Sequence, residues 1–319
     1  MKNILVTGGL GFIGFNFIKY VTKNYPNYNL ICLDSVTYAA ELWIDEKYEF
    51  LKENNIKFYK NNICEDIEDI IISEHIDTIV NFAAESHVDV SISNPGIFTI
   101  SNVLGVANLL EYVRKYNLRF HQIGTDEVYG SVDPDKDYVD ENFKLQPSSP
   151  YSASKTSADL LTLSYFKTFG SNVTISRCSN NFGPYQHVEK LLPKVITNAL
   201  NNKNIPVYGN GLQRRFWIHV NDHNEAVMKI LENGKPGEIY NIAPVKENLK
   251  TNIEMVNYIL TYLEKDKSLI EHVTDRPGHD LCYYLEGDKL KNECLFVPRQ
   301  IEQFETDLKE TIERYKFHD

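Results

Sequence analysis

The sequence predicts an α/β fold, in which a doubly wound parallel sheet is accompanied by a smaller α/β domain. Two patterns in the 319 residues lead to this prediction. Short apolar runs typical of buried strands alternate with helical segments from residue 3 to residue 177. A glycine-rich turn joins the first of these runs to the first helix. Strand–helix alternation favours parallel strands, because each crossover helix packs on a face of the sheet.

The first strand and helix enclose a glycine motif. An apolar run at residues 3–7 is followed by Gly8, Gly11 and Gly14, spaced G-x-x-G-x-x-G, and then by a helical pattern. Glycine permits a tight turn and a close approach of the backbone to a pyrophosphate, while the helix N-terminus supplies N–H donors. Because the motif has both its strand and its helix, it indicates a Rossmann-type dinucleotide site.

The second strand, residues 29–34, ends at Asp34, which lies 20 residues after Gly14. A carboxylate at this place can hydrogen-bond the ribose hydroxyls of adenosine and repel a 2′-phosphate. Asp34 therefore favours NAD over NADP. The alternative interpretation is an aspartate in a surface turn.

Two further strands follow. Residues 57–63 predict a third strand with Ile63 near its end, and residues 78–82 predict a fourth that runs into Ala83, Ala84 and Glu85. Small residues after a strand allow a cofactor to lie against the backbone.

Residues 98–117 predict a long helix that is apolar around most of its circumference. Such a helix is expected to be buried on two sides. One side would face the sheet and the other a second helix, which could belong to another subunit.

The fifth strand, residues 119–125, ends in Thr125, Asp126 and Glu127. Consecutive residues of an extended chain point in opposite directions, so the two carboxylates could reach one ligand from two sides. Carboxylates in different environments can serve as an acid and a base at one pH. The alternative is a solvated turn capped by aspartate.

Position in the sheet favours a site over a turn. Ligands of parallel α/β sheets bind outside the carboxyl ends of the strands. The residues predicted at those ends are Gly8, Asp34, Ala83 and Thr125.

A second long helix, residues 151–169, carries Tyr151 and Lys155 one turn apart on one face. An ammonium near a phenol lowers the pKa of the phenol by stabilising the phenolate. With a cofactor ribose between the two side chains, Tyr151 becomes a candidate general base toward a hydroxyl. Such a pair is also common by chance.

The alternation ends after a sixth strand at residues 172–177, where an irregular segment begins. We assign a cofactor domain to residues 1–178 plus about 215–245, because a strand and helix from residue 217 are expected to return to it. The smaller substrate domain comprises residues 179–214 plus 246–319. The alternative keeps the segment from 217 in the second domain.

Composition excludes several classes of protein. The formal net charge of −11 and the lack of a basic run argue against nucleic-acid binding. Five scattered cysteines without a Cys-x-x-Cys pair are typical of reduced thiols, which indicates the cytoplasm. No apolar run reaches membrane-spanning length, so no membrane partner is expected.

A metal site is not expected either, although His219, Asp222 and His223 are close together in the sequence. We expect His219 to lie in a strand and Asp222 to cap the following helix.

These residues together resemble the extended short-chain dehydrogenase/reductases, and more narrowly the dTDP-glucose and UDP-glucose 4,6-dehydratases. The resemblance covers nearly the whole chain, and its most specific part is the Thr-Asp-Glu triplet. The matching segments are TGGLGFIG (7–14), LDSVTYA (33–39), AAESHVD (83–89), TDEVYG (125–130), YSASK (151–155), NNFGPYQ (180–186), EKLLPK (189–194) and DRPGHD (275–280).

The resemblance implies an enzyme that converts a nucleotide-diphosphate glucose to its 4-keto-6-deoxy sugar. Tyr151, assisted by Lys155 and Thr125, would deprotonate the 4-hydroxyl, and hydride would pass from C4 to NAD⁺. Glu127 would take the proton from C5, Asp126 would protonate the departing 6-hydroxyl, and hydride would return to C6.

The resemblance also implies two sets of binding residues. The NAD set is Gly8, Gly11, Phe12, Ile13, Gly14, Asp34, Asn62, Ile63, Ala83, Ala84, Tyr151 and Lys155. The substrate set is Glu85, His87, Thr125, Asn181, Lys190, Leu191, Arg215, Arg276 and His279. Arginine and lysine side chains would give an acidic protein a local pocket for a diphosphate.

Three alternatives stay open at this point. The substrate could be dTDP-glucose or UDP-glucose. The enzyme could be a 4-epimerase or 4-reductase on the same fold, or the chain could be a non-catalytic binder of NAD or nucleotide sugar. A homodimer is expected from the two long apolar helices, residues 98–117 and 151–169, which could pair across a two-fold axis.

Overall fold

The computed structural model describes residues 2–316, so the outermost positions assigned to the two domains, 1 and 317–319, lie outside it. Its strands, numbered along the chain, are β1 Lys2–Thr7, β2 Tyr28–Asp34, β3 Lys57–Lys60, β4 Thr78–Asn81, β5 Arg119–Thr125, β6 Val173–Cys178, β7 Asn180–Phe182, β8 Ile205–Tyr208, β9 Arg214–His219, β10 Ile239–Ile242, β11 Leu249–Thr251 and β12 Ile270–Val273.

The α-helices are α1 Phe12–Asn24, α2 Tyr38–Glu41, α3 Ile44–Glu53, α4 Glu68–Ser73, α5 Val88–Ser93, α6 Pro95–Thr99, α7 Gly105–Tyr116, α8 Pro150–Phe169, α9 Leu191–Leu200, α10 Val220–Asn233, α11 Asn252–Tyr262, α12 Asp288–Cys294 and α13 Ile301–Lys316. A π-helical turn covers Ile100–Leu104, and 3₁₀ turns cover Asp126–Tyr129, Lys246–Asn248 and Lys267–Leu269.

Seven parallel strands form the main sheet in the order β10-β6-β5-β4-β1-β2-β3. The strand order reverses between β1 and β4, which opens a crevice at the carboxyl edge of the sheet. Thr7, Asp34, Asn81 and Thr125 all end their strands at this edge. The predicted doubly wound α/β fold is therefore confirmed.

Helices cover both faces of the sheet. Helices α1 and α10 pack together in the larger apolar core, which includes Ile18, Val21 and Val227. Helices α4, α7 and α8 cover the opposite face and bury residues such as Leu109 and Ala158. Because helices bury both faces of the sheet, a ligand can reach it at the carboxyl edge.

The remaining strands form two small sheets beside the carboxyl edge. β9 lies between β7 and β11, and β8 pairs with β12 next to helices α9 and α11. The strand predicted to return to the main sheet from residue 217 instead pairs with β7 and β11, because β10 occupies the edge beside β6. Helix α10 and β10 do return to the main sheet.

The third strand is shorter than predicted and ends at Lys60 rather than Ile63. The side-chain oxygen of Asn61 accepts the N–H of Asn62, and that of Asn62 accepts the N–H of Cys64. These local bonds compete with strand pairing and turn the chain. Ile63 is buried after the strand rather than within it.

The long apolar helix also differs from its prediction, since α6, the π-helical turn and α7 share residues 95–116. Ile100 is 53% exposed and Leu104 is 56% exposed, so the helix is not buried on both sides within one chain. Pro95–Tyr116 is long and apolar enough to cross a membrane by length and composition, but core helices of soluble proteins pass the same test.

Candidate active site

Two adjoining cavities lie at the carboxyl edge of the sheet. The larger, of about 250 Å³, contains all five predicted catalytic side chains, which are Thr125, Asp126, Glu127, Tyr151 and Lys155. The smaller contains Asp34, Asn62, Ile63 and Ala83, and both contain Gly8, Gly11 and Ala84. With Phe12, Ile13 and Gly14 in the larger cavity, every residue of the predicted NAD set borders one of the two.

The glycine turn between the cavities fits a pyrophosphate. Gly8 has a φ of +67°, and a Cβ on it would lie 2.6 Å from the backbone nitrogen of Ala83. The N-cap of α1 is Gly11, which has no side-chain cap, and the first turn contains no acidic residue. The free N–H groups and the partial positive charge of the helix are thus open to an anion.

Asp34 is fixed by the backbone of the loops around it. Its Oδ2 accepts the N–H of Leu10 at 2.9 Å and its Oδ1 accepts the N–H of Val36 at 2.8 Å. Each carboxylate oxygen has a second lone pair, so both can still accept a ribose hydroxyl. The predicted role of Asp34 toward adenosine fits its position in the smaller cavity.

The acid pair does not have the extended backbone that the sequence predicted. Thr125 ends β5, and Asp126 and Glu127 begin a 3₁₀ turn for which Thr125 is the N-cap. The Thr125 hydroxyl accepts the N–H of Glu127 at 3.3 Å, which satisfies a donor at the start of that turn. Both carboxylates nevertheless border the larger cavity.

The two carboxyl groups experience different environments. Burial raises the pKa of Asp126 well above its usual value, and the charge of Glu127 raises it further. Burial also raises the pKa of Glu127 above its usual value, and the cations Arg276, Arg215 and Lys190 oppose this rise. Asp126 is therefore the member of the pair that holds a proton more readily, and its Oδ2 is buried without a hydrogen-bond partner.

Tyr151 and Lys155 lie one turn apart on α8, as predicted. The charge of Lys155, however, is not among the main influences on the pKa of Tyr151. The Lys155 Nζ donates to the carbonyl of Ile123 at 2.6 Å. Burial raises the pKa of Tyr151 well above 10, and the charge of Glu127 adds to this. The expected lowering of the Tyr151 pKa by Lys155 does not appear among the protein groups, so the phenol is protonated at neutral pH unless further positive charge approaches it.

The predicted substrate residues lie around the same crevice at different depths. Asn181 and Lys190 border the larger cavity and Glu85 the smaller. Arg215 and Arg276 are close enough to lower the pKa of Glu127. The other members are not among the residues that border the two cavities: Leu191 begins α9, His87 is 3.5 Å from Glu189, and His279 Nδ1 is 2.6 Å from an oxygen of Asp275.

Arg215 is held by residues that the sequence did not single out. Its guanidinium lies 4.2 Å from the ring centroid of Tyr283 and donates to the carbonyl of Asp280 at 3.0 Å. The Tyr283 hydroxyl donates to Asp280 at 2.8 Å and lies 3.5 Å from Glu127. These contacts connect the cation to the acid pair.

Several other residues of the larger cavity escaped the sequence prediction, namely Ser86, Cys178, Ser179, Asn180, Gln186, His187 and Glu189. Asn180, Gln186 and Glu189 belong to the segments NNFGPYQ and EKLLPK, which were noted without assigning these side chains. Asn102 was also missed, although its buried amide binds both the N–H and the carbonyl of Glu85 from within the π-helical turn. No local sequence signal connects Asn102 with Glu85.

The histidine cluster at the start of α10 is structural. His219 ends β9 and caps α10, so the expected cap, Asp222, lies one turn later and pairs with Arg299 instead. The reason is that the His219 ring reaches the N–H of Asn221. Within residues 2–316, no group of three or more His, Cys, Asp or Glu residues is arranged to hold a metal ion.

Comparison with known proteins identifies matches over nearly the whole chain. The family model described as GDP-mannose 4,6 dehydratase matches residues 5–310. A dTDP-glucose 4,6-dehydratase of Mycobacterium tuberculosis H37Rv is 40% identical over 317 residues, which cover 98% of this chain and 93% of that protein.

Two solved structures agree with these sequence matches. A dTDP-glucose 4,6-dehydratase of Bacillus anthracis in complex with NAD has 42% identity and a TM-score of 0.89, covering 99% of this chain and 97% of that one. A Streptomyces venezuelae dTDP-glucose 4,6-dehydratase with NAD and TYD bound has 38% identity and a TM-score of 0.92, with the same coverage of 99% and 97%.

Proposed function

The chain belongs to the nucleotide-sugar 4,6-dehydratases of the extended short-chain dehydrogenase/reductase family, and from this membership we propose that its substrate is dTDP-glucose. It is an NAD-dependent hydro-lyase, and the product is the 4-keto-6-deoxy sugar. The observation that carries the proposal is that Asp126 and Glu127 border the same cavity as Tyr151. An epimerase or a passive binder has no need of an acid and a base beside the hydride-transfer centre.

We assign the first proton transfer to Tyr151. NAD⁺ held by the glycine turn, Asp34, Tyr151 and Lys155 would supply an acceptor for the C4 hydride, a donor for its return to C6, and a positive charge in the larger cavity. That charge would offset the burial and the Glu127 charge that keep Tyr151 protonated. Tyr151 then takes the proton of the 4-hydroxyl, with Thr125 hydrogen-bonded to the same oxygen. The ammonium of Lys155 is held in place by its hydrogen bond to the Ile123 carbonyl.

The elimination step is assigned to the acid pair. A 4-ketone acidifies the proton at C5, and Glu127, whose carboxylate is favoured by the three nearby cations, removes it. Asp126, whose raised pKa favours the protonated form, gives its proton to the departing 6-hydroxyl. Water leaves, and Glu127 is now protonated while Asp126 is ionised. When hydride returns to C6, Glu127 gives its proton back to C5, which completes the 4-keto-6-deoxy sugar.

The nucleotide diphosphate is assigned to the smaller domain. Its candidate ligands are Asn181, Lys190, Arg215, Arg276 and His279. Glu85, which borders the smaller cavity, and His87 and Leu191 complete the proposed substrate set. Arg276 supports this assignment: its Nη1 pairs with Asp89 at 3.3 Å, but its buried Nε has no hydrogen-bond partner within residues 2–316. Three cations in a cleft concentrate positive charge where an anionic substrate would bind, despite the net charge of −11.

Incubation with dTDP-glucose, UDP-glucose and GDP-mannose in separate reactions tests the proposed substrate. We expect the 4-keto-6-deoxy product to form from dTDP-glucose with the highest kcat/KM. The relatives at 38–42% identity named above support this expectation. A higher kcat/KM for UDP-glucose would correct the nucleotide, and no product from any of the three would overturn the dehydratase proposal.

We further propose a homodimer that pairs the 95–116 helical segment and α8 of two copies across a two-fold axis. These neighbouring helices present exposed apolar side chains, namely Ile100, Leu104, Leu160 and Phe169, each between 51% and 56% exposed. Two copies could cover this surface with the same residues of each partner.

The double variant Leu104→Glu, Leu160→Glu should sediment as a monomer at a concentration where the unmodified protein is a dimer. Charged side chains at the centre of an apolar interface remain desolvated and unpaired. Val297→Glu is the matched control, since Val297 is 58% exposed but lies outside these helices. A dimer that survives the double substitution would contradict this interface.

A cytoplasmic location completes the proposal and is supported by five cysteines that are all free. Recovery of the protein in the membrane fraction of lysed cells would count against it.

A further inference from the structure

Lys47 is a fully buried lysine that the reaction does not use. It projects from α3 and is 0% exposed. Its Nζ donates to the carbonyl of Leu10 at 2.8 Å and to the carbonyl of Ala40 at 3.0 Å. A buried ammonium is costly unless it is hydrogen-bonded or paired, so this arrangement requires an explanation.

The two carbonyls belong to the walls of the adenosine end of the cofactor crevice. Leu10 lies within the glycine turn, between Gly9 and Gly11, and Ala40 borders the smaller cavity together with Asp34. The N–H of Leu10 is bound by Asp34 and its carbonyl by Lys47. The glycine turn is therefore held through the N–H of Leu10 by a carboxylate and through the carbonyl of Leu10 by an ammonium group.

We propose that Lys47 is a positioning residue for the dinucleotide: its ammonium joins the glycine turn to the 38–41 helix and thereby fixes the shape of the adenosine pocket. Its charge also partly offsets that of Asp34, which must stay ionised and close to the ribose. This inference rests on the NAD site described above and adds to it a residue that touches neither substrate nor cofactor.

The charges around Lys47 make its protonation state measurable. Burial lowers the pKa of Lys47 to about 8, while Asp34 on β2 and Glu46 on α3 raise it. Glu46 is itself paired with Arg314 of α13 and bonded by Tyr185, and Lys19 of α1 lies beside that pair. His187 borders the larger cavity, and burial together with nearby cations that include Lys47 lowers its pKa below 6.5, so it does not titrate near pH 8.

The test is the dissociation constant of NAD⁺ for the whole protein, measured between pH 6.5 and pH 9.5. For the unmodified protein we expect the affinity to fall as Lys47 loses its proton, with a midpoint near 8. Lys47→Met should bind NAD⁺ about 10- to 100-fold more weakly at pH 7, as expected for the loss of a charge-assisted contact. It should also lose the step near pH 8.

Lys52→Met is the matched control, because Lys52 lies on the same helix but is exposed. It should keep both the affinity and the pH step. A pH-independent affinity in the unmodified protein, or an unchanged step in Lys47→Met, would overturn the proposal. Burial also lowers the pKa of Lys155 and Lys190, so a second variant is needed if Lys47→Met does not fold. Lys47→Arg keeps its charge up to pH 9.5 and should therefore lose the step that the unmodified protein shows. Failure of the unmodified protein to bind NAD⁺ at any pH would instead count against the cofactor site itself.

Discussion

Glu127→Gln should stop the reaction after the first hydride transfer. The glutamine keeps the shape of the side chain but cannot accept the C5 proton. We expect product formation to fall by about 10²- to 10⁴-fold, the usual contribution of a general base. Bound NAD should still be reduced on addition of substrate, because Tyr151 and Lys155 are unchanged. Absorbance of NADH in a single turnover, together with deuterium incorporation at C5 in heavy water, measures the two steps separately.

Asp126→Asn is the matched comparison, since it alters the neighbouring carboxyl group by the same chemical change. It should slow the loss of water but leave exchange at C5 in place, because Glu127 remains. The raised pKa of Asp126 gives the direction of the pH dependence: elimination by the unmodified enzyme should decline as pH rises through that pKa and Asp126 loses its proton. Exchange at C5 that persists at the native rate in Glu127→Gln would show that the base has been assigned wrongly.

Tyr151→Phe should block the reaction one step earlier. The substitution removes the group assigned to take the proton of the 4-hydroxyl, so we expect kcat to fall by about 10²- to 10⁴-fold. Little or no NADH should appear in a single turnover, which distinguishes this variant from Glu127→Gln. The substitution should leave the fold intact, because the ring retains its edge contact with Phe98 at a centroid distance of 6.3 Å.

The control for Tyr151→Phe is Tyr165→Phe on the same helix. The Tyr165 hydroxyl bonds Glu111 on the outer surface of the domain, remote from the cavities. Its removal should leave kcat and KM unchanged. NADH formation at the native rate in Tyr151→Phe would mean that another group deprotonates the 4-hydroxyl.

The chain by itself determined the class of fold and the composition of the crevice. Both depend on local patterns. Apolar runs specify buried strands, Gly8 adopts a positive φ, and a Cβ on Gly14 would clash with the carbonyl oxygen of Gly8. Because parallel strands end at one edge, Asp34, Ala83 and Thr125 could be grouped without knowing any distance. The family resemblance then supplied the roles of the acid pair, which spacing alone left as two adjacent carboxylates.

The tertiary structure decided what depends on burial, on long-range charge and on pairing between distant segments. Strand β9 pairs with β7 and β11 because β10 already occupies the edge of the main sheet beside β6. The periodicity of the sequence does not show which strand takes that edge. Asn102 and Lys47 act on loops 17 residues and 37 residues away along the chain, so no motif contains both partners.

The acid pair shows most clearly which properties the sequence determines and which depend on the tertiary structure. Asp126 and Glu127 are neighbours with similar side chains, and the sequence cannot say which one holds the proton. Burial raises the pKa of both, and Arg215 lowers both. Arg276 and Lys190, from distant segments, also lower the pKa of Glu127, while the charge of Glu127 raises that of Asp126 further. An acid and a base are made from two like residues because the fold distributes water and charge unequally between them.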